Sequence, residues 1–562
     1  MPHDKIAITI DAKKIREPIS KYIYGQFIEQ MGRCIYGGIW AEMLEDRKFF
    51  YEPGASESPW KIIAANSIQQ GELGLVKGKT YVGRIVVSAK NRTKIQISLI
   101  WDGGWQTKSF DVKNCDFKTF NFKFTSESDT SNGKLEIVFN NKVSINAVSL
   151  MPADNIKGMR ADTLKLLKEL NAPIYRWPGG NFVSGYDWRN GIGPIDKRPA
   201  LKNPAWKGIE HNDFGIDEFM VFCKEIKTEP LIVVNTGFGD AHSAAEEVRY
   251  INIKKKYNVK WWGIGNEMYG KWQLGHMPLE QYVAKHNLFV KAMREVDPSI
   301  KCVAVGEAGP WSEGMLKNCA ENMDLISEHF YCFEEKPSLI EHVQQVPQAV
   351  NKKAAAHREY RKNLESLKGK DIRIAMDEWN YWYGEHIFGE LGTRYYFKDA
   401  LGIAAGLHEM FRNSDIIEMA NYAQTVNVIG AIKTSKTTAE IETTGLVLKL
   451  YRKQFGVIPV EISGNTNSLD ITAALIKNRK ALTVAIVNPT EKNYMLSINL
   501  KNIKLTGKGQ LWIISHSDPM AFNDPGKEPA VKIDEKKLND INSLEILPYS
   551  ICLYKLELKN GM

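Results

Sequence analysis

Two stretches of the chain end an apolar run on a carboxylate: "WWGIGNEMYG" (261–270), with Glu267, and "IAMDEWNYWYG" (374–384), with Glu378. A carboxylate at the mouth of an apolar strand is costly unless it is solvated, paired or used. Two of them facing one pocket with aromatic walls are the minimal machinery for cleaving a glycosidic bond. One must carry a proton for the leaving oxygen, which burial favours by disfavouring its charged form, and the other must stay ionised to meet the sugar carbon. The competing reading is structural, with both carboxylates paired to Arg176 or Arg373 at strand ends.

Such a pair has to be positioned, and the middle of the chain supplies the frame. Eight strand-like runs occur at 22–29, 172–178, 230–236, 260–266, 301–307, 324–331, 372–378 and 416–423. Segments with helical spacing lie between them, for example 161–170 and 279–297. This pattern predicts a (β/α)8 TIM barrel, in which sites form where strands end and the following loops begin. A doubly wound sheet is the alternative, but no glycine-rich phosphate loop follows any strand. Glu29 ends the first strand, Glu267 follows the fourth, Glu328 lies within the sixth and Glu378 ends the seventh. The 111 residues between Glu267 and Glu378 span three further βα units, so both can face one pocket. A long helical segment after the sixth strand contains Pro347 and is expected to break there.

The flanks read as β-structure. Residues 56–152 alternate apolar and polar positions between turn signals such as "DGG" and "SNGK", which predicts an inserted β-sandwich. Residues 451–562 predict a C-terminal β-sandwich, completed by an N-terminal strand within 1–18. The barrel is assigned to 19–55 and 153–450.

Composition narrows the partners. The formal charge is +8, but 74 Lys and Arg are interspersed with 66 Asp and Glu. The densest basic run, "IKKKYNVK" (253–260), reads as a solvated loop, so no nucleic-acid partner is expected. Seven cysteines show no CxxC spacing, and neither HxH nor HExxH occurs, so no metal and no other cofactor is expected. There is no apolar run of eighteen residues and no basic-then-apolar leader, so no membrane association is expected. The compartment is open between cytoplasm and, with a leader removed, periplasm or exterior; the oligomeric state is open as well. Fourteen tryptophans allow stacking on sugar rings.

Five blocks carry a resemblance: "YGQFIEQMGRCIYGGIWAEML" (24–44), "YRWPGGNFVSGYDW" (175–188), "WWGIGNEMYGKWQLG" (261–275), "AMDEWNYWY" (375–383) and "ANYAQTVNVIG" (420–430). In order and across the whole expected barrel, they resemble family 51 glycoside hydrolases, typically α-L-arabinofuranosidases. The resemblance implies a barrel plus a sandwich built from both termini, and a retaining, exo-acting enzyme on arabinofuranose-containing plant polysaccharides or oligosaccharides. It implies Glu267 as acid/base and Glu378 as nucleophile, with Arg176 beside the nucleophile to keep it ionised. It assigns Glu29, Asn181, Asn266, Tyr331 and Gln424 to the sugar pocket, Tyr331 also bonding the nucleophile. Of the tryptophans in expected loops (Trp188, Trp206, Trp272 and Trp379), Trp188 and Trp379 are placed at the sugar. His329 is read as a hydrogen-bonded packing residue.

Two features depart from the family pattern. "RYINIKKKYNVKWW" (249–262) is short where relatives carry a longer loop, which puts the pocket rim and substrate preference in doubt. The insertion resembles a family 4-type carbohydrate-binding module, with a structural spacer as the alternative. Rival functions are an endo-acting β-glucanase or xylanase, a non-catalytic glycan-binding protein, and a metal-dependent barrel hydrolase.

Overall fold

The computed structural model describes residues 4–113, 115–539 and 543–559, so residues 1–3 of the expected N-terminal strand lie outside the described residues. Eight parallel strands close into a barrel: Gly25–Phe27, Ile174–Trp177, Glu229–Val233, Trp261–Gly263, Lys301–Ala304, Leu325–Cys332, Arg373–Tyr381 and Ile417–Ala423. They neighbour one another in sequence order, and the first closes the ring between the eighth and the second. This is the expected (β/α)8 architecture.

Strand alternation builds the barrel interior in layers. Ile174, Leu231, Trp261, Val303, Leu325, Ala375 and Met419, with Tyr22, form one buried apolar cluster. Two residues further along their strands come Arg176, Ser327, Asp377 and Asn421, all buried. On these four strands polar side chains therefore follow the apolar ones toward the strand ends, while Val233 and Gly263 hold the corresponding places on the third and fourth. The seventh strand breaks the alternation. Its register with the sixth shifts by one residue between Ser327–Ala375 and His329–Glu378. This bulge lets Asp377 and Glu378, consecutive residues that a regular strand would send to opposite faces, both reach the interior.

The insertion consists of a three-stranded and a five-stranded antiparallel sheet packed over a core that includes Trp60, Ile85, Ile97, Leu135 and Val148. The C-terminal β-structure is one nine-stranded sheet that curls over its own apolar core in the manner of the expected sandwich. Strand Asp4–Ile15 sits inside it, antiparallel to Ile458–Gly464 and parallel to Tyr494–Lys501.

The helix after the sixth strand does not break at Pro347: Leu339–Asn363 runs unbroken through it. The proline costs one backbone hydrogen bond, about 3 kcal/mol. Tight packing against helix Phe397–Arg412 offsets that cost; a Cβ on Gly406 would stand 2.3 Å from Val346 Cγ1. The short segment 249–260 is not a pocket rim. It leads from helix Ala241–Val248 into the N-terminal end of the fourth strand, and barrel sites form at the opposite ends. Its side chains are spent on Asp217 and Asp297. Among the described residues no helix is long and apolar enough to cross a membrane.

Candidate active site

Glu378 lies in the C-terminal half of its strand, buried and fully engaged. Oε1 accepts from Arg176 Nη1 at 2.7 Å and Oε2 from the Tyr331 hydroxyl at 2.7 Å. Arg176 is itself locked: Nη2 donates to Asn266 Oδ1 at 2.5 Å, Nε lies 3.2 Å from Asp377, and the guanidinium covers the Phe27 ring at 4.4 Å. Burial and Glu378 hold the Tyr331 hydroxyl well above its ordinary pKa, so it remains a donor.

Glu267 arrives from the loop after the fourth strand, where the backbone turns through left-handed conformations. Gly265 has φ +90° and Glu267 itself φ +40°, a costly geometry for a side chain that its surroundings must impose. Gly265 is irreplaceable on space as well, since a Cβ there would lie 1.8 Å from Thr236 Oγ1. The imposed turn aims the carboxylate at three donors. His329 Nδ1 is 2.9 Å from Oε1, Trp272 Nε1 donates to Oε2 at 2.5 Å, and the Tyr269 hydroxyl lies 3.4 Å from Oε1.

His329 joins the two carboxylates. Its Nδ1 lies 3.7 Å from Glu378 Oε2, and its Nε2 faces Asp377 Oδ1 at 3.2 Å and Ser327 Oγ at 3.0 Å. Burial alone would lower its pKa, but Glu378, Asp377 and Glu267 outweigh that and push it up to about 10. The imidazole is therefore a cation donating from both nitrogens. Burial raises the pKa of Glu267, yet the His329 cation, Trp272 and Arg176 bring it below the ordinary value. One oxygen of Glu267, one of Glu378 and a His329 nitrogen all lie within 4.8 Å of one another. A cation at these three atoms would have to displace the imidazolium proton, which Glu378, Asp377 and Glu267 hold in place.

Glu29 forms the adjoining wall. Its Oε1 accepts from Phe182 N at 3.0 Å and Trp206 Nε1 at 2.9 Å, and its Oε2 from Gln424 Nε2 at 2.6 Å. Burial, with Glu378 next, raises its pKa to about 7. Asn266 Nδ2 donates to Gln273, which donates in turn to Ser184. Asn181 spends both ends of its amide on the loop that carries Glu267, bonding Trp272 O at 3.1 Å and Leu274 N at 2.9 Å.

The structure thus brings together Glu267, Glu378, Arg176, Glu29, Asn181, Asn266, Tyr331 and Gln424. It does not place Trp188 or Trp379 at the sugar. Trp379 is fully buried between Phe330 and Tyr422, and Trp188 is buried against Tyr250 with its Nε1 on Ser243 O. Trp206 and Trp272 stand at the carboxylates instead. Glu328 turns out of the barrel to Ser312, His357 and Lys353, as its place between two inward residues dictates. His329 and Asp377 are the residues sequence reasoning missed. For His329 a signal existed: Tyr331 expected inward implies position 329 inward, two residues back on the same strand.

The profile of the α-L-arabinofuranosidase 1 domain matches residues 166–253 and 239–352, and that of the α-L-arabinofuranosidase C-terminal domain matches 377–550. An intracellular exo-α-(1→5)-L-arabinofuranosidase 1 of Bacillus subtilis is 30% identical over 427 residues, covering 68% of this chain and 85% of that protein. The chain belongs to the family 51 α-L-arabinofuranosidases.

Solved family structures align along the whole chain. The α-L-arabinofuranosidase of Thermotoga maritima, solved as an arabinose complex, has a TM-score of 0.73 at 26% identity, with 99% of this chain and 100% of that one covered. The thermostable family 51 enzyme of Thermotoga petrophila gives 0.73 and 26%, with 98% and 100% covered. Within the family site, Gly179 and Gly180 are set by close approach: a Cβ would lie 2.4 Å from Glu29 Cγ and 2.9 Å from Glu378 Oε1, respectively. Because Arg176 and Tyr331 pin Glu378, Gly180→Ala must displace the carboxylate or the loop. A kcat/KM loss of about a hundredfold on an aryl arabinofuranoside is expected, as for a misplacement approaching 1 Å. The melting temperature should move far less than the activity.

Proposed function

We propose that the protein is a retaining, exo-acting α-L-arabinofuranosidase that removes terminal arabinofuranose from arabinan- and arabinoxylan-type glycans by double displacement. The observation that carries this reading is the approach of Glu267 and Glu378, an oxygen of each lying within 4.8 Å of an oxygen of the other. Retaining pairs stand about 5–5.5 Å apart, whereas inverting pairs need about 6.5–9.5 Å to admit a water. Glu29 and Gln424, bonded to each other, close one side of the pocket, which suits a terminal residue.

In the first step a Glu378 oxygen attacks the anomeric carbon, the bond to the leaving oxygen breaks, and that oxygen takes a proton from Glu267. His329 supplies the timing. Among the groups that keep it protonated Glu378 comes first, and esterification removes that charge. The imidazolium then becomes a stronger acid and passes its Nδ1 proton to Glu267 as Glu267 protonates the leaving group. In the second step Glu267 takes a proton from water, whose oxygen attacks the same carbon and frees Glu378. Glu29 and Gln424 hold the sugar, while Asn266 and Asn181 hold Arg176 and the loop carrying Glu267 in place.

Reaction in methanol tests retention: methyl α-L-arabinofuranoside is the expected first product, and the β anomer or free arabinose oligomers would overturn the reading. The proton carrier is tested by pH. The active free enzyme has the Glu267–His329 pair singly protonated, so activity falls as pH rises past the raised His329 pKa, about 10. In His329→Asn that proton must sit on Glu267 alone, and the alkaline limb of kcat/KM should move to lower pH. An unmoved limb would remove His329 from the proton path.

A further inference from the structure

We propose that the cleft between the insertion and the barrel mouth is a second carbohydrate-binding site, taking a neutral stretch of the polysaccharide beyond the residue being cleaved. This rests on the glycosidase reading above. The cleft has a volume of about 880 Å³, in the range of small-molecule sites. The chain just after Glu29 and the hairpin Leu201–Glu210 wall it on the barrel side, and residues 72–81 of the insertion wall it on the other. The barrel-loop hairpin at 435–437 closes in on the insertion, and a Cβ on Gly74 would stand 2.5 Å from Lys436 Cβ. Ion pairs fix the two walls: half-buried Arg84 of the insertion and buried Arg47 both bind Asp196, and Arg47 also binds buried Asp213.

The lining selects a ligand class. Nine Asp and Glu outnumber five Lys and Arg there, although the chain as a whole carries +8, so a polyanion is repelled. Half-buried Tyr36 and Tyr51 offer ring faces, and Arg33 offers donors. Gln30 Oε1, Trp40 Nε1 and His211 Nδ1 belong to lining residues and have no protein partner. Ring faces among mixed carboxylates and donors match a neutral polyhydroxylated chain. The cleft also shares its wall with the catalytic pocket. Trp206 of the hairpin binds Glu29, while Asn203 and Lys207 beside it face the cleft. Met31, in the lining, lies 4.0 Å from Gln424.

The test uses Tyr51→Ala/Glu45→Ala, two lining positions outside the catalytic pocket. The double variant should hydrolyse an aryl arabinofuranoside at the wild-type rate while kcat/KM on linear arabinan falls about tenfold through KM. In the Glu378→Gln background, calorimetric titration with neutral arabino-oligosaccharides should weaken by a similar factor on adding both substitutions, and polygalacturonate should not bind. Equal losses on small and polymeric substrates, an unchanged isotherm, or preference for the uronate polymer would overturn the proposal. Wild type inert toward the aryl substrate would refute the activity instead, leaving the isotherm to judge the cleft.

Discussion

Glu378→Ala loses turnover of an aryl α-L-arabinofuranoside by a factor on the order of 10⁴–10⁶, the expected cost of deleting a nucleophile whose binding site stays intact. The rest of the site persists because Arg176 keeps a counter-charge: Asp377 remains 3.2 Å from its Nε, and Asn266 still accepts from Nη2. The folding penalty is therefore smaller than the roughly 3–5 kcal/mol of stranding a buried charge. The deletion leaves a space lined by Arg176 and the Tyr331 hydroxyl, which suits a small anion. Azide should restore part of the rate and yield an arabinosyl azide of inverted configuration. A variant that hydrolysed the substrate at the normal rate without azide would show that Glu378 is not the nucleophile.

Glu267→Ala should separate substrates by their leaving groups. Proton donation contributes typically 10²–10⁴-fold, so arabinan, with its alkoxide leaving group, should lose about that much. An activated aryl arabinofuranoside needs no proton to leave. Its first step should survive, while the second, which needs Glu267 as base, becomes limiting and produces a burst of phenol. The dependence of kcat/KM on leaving-group acidity should steepen relative to wild type. Uniform loss on every substrate would instead point to collapse of the loop around Glu267, whose φ of +40° makes it the strained member of the pair. Glu267→Gln, which keeps the shape and most partners, distinguishes the two outcomes: an unreactive but equally stable variant supports the chemical role.

Much of this site was legible in the chain. Glu267 and Glu378 stand out because an apolar strand ending on a carboxylate is energetically anomalous, and the anomaly is local. The eight strands show because a barrel strand is buried on both faces and its helices carry their own period. Arg176, Glu29, Tyr331, Asn181, Asn266 and Gln424 were reached through motif resemblance, and all converge on the pocket. The tryptophans show where such reading ends. Trp188 and Trp379 adjoin motif residues yet are core, whereas Trp206 and Trp272, with little local signal, hold Glu29 and Glu267. An indole carries no sequence mark of which way it points. Pro347 was misjudged for a related reason, since the packing that offsets its lost hydrogen bond comes from Gly406, 59 residues away.

The sequence by itself determined the barrel, the flanking β-structure, the family and the two candidate glutamates, because period, strand burial and charge placement are properties of consecutive residues. Only the tertiary structure decided how the protons are held. A one-residue register shift between the sixth and seventh strands turns Glu378 inward beside Asp377 and sets His329 level with it, against Glu267, Glu378 and Asp377. That arrangement holds the histidine as a cation and ties its proton to the charges of Glu378 and Glu267. It depends on pairing between strands about fifty residues apart, and so on distances that no local pattern encodes.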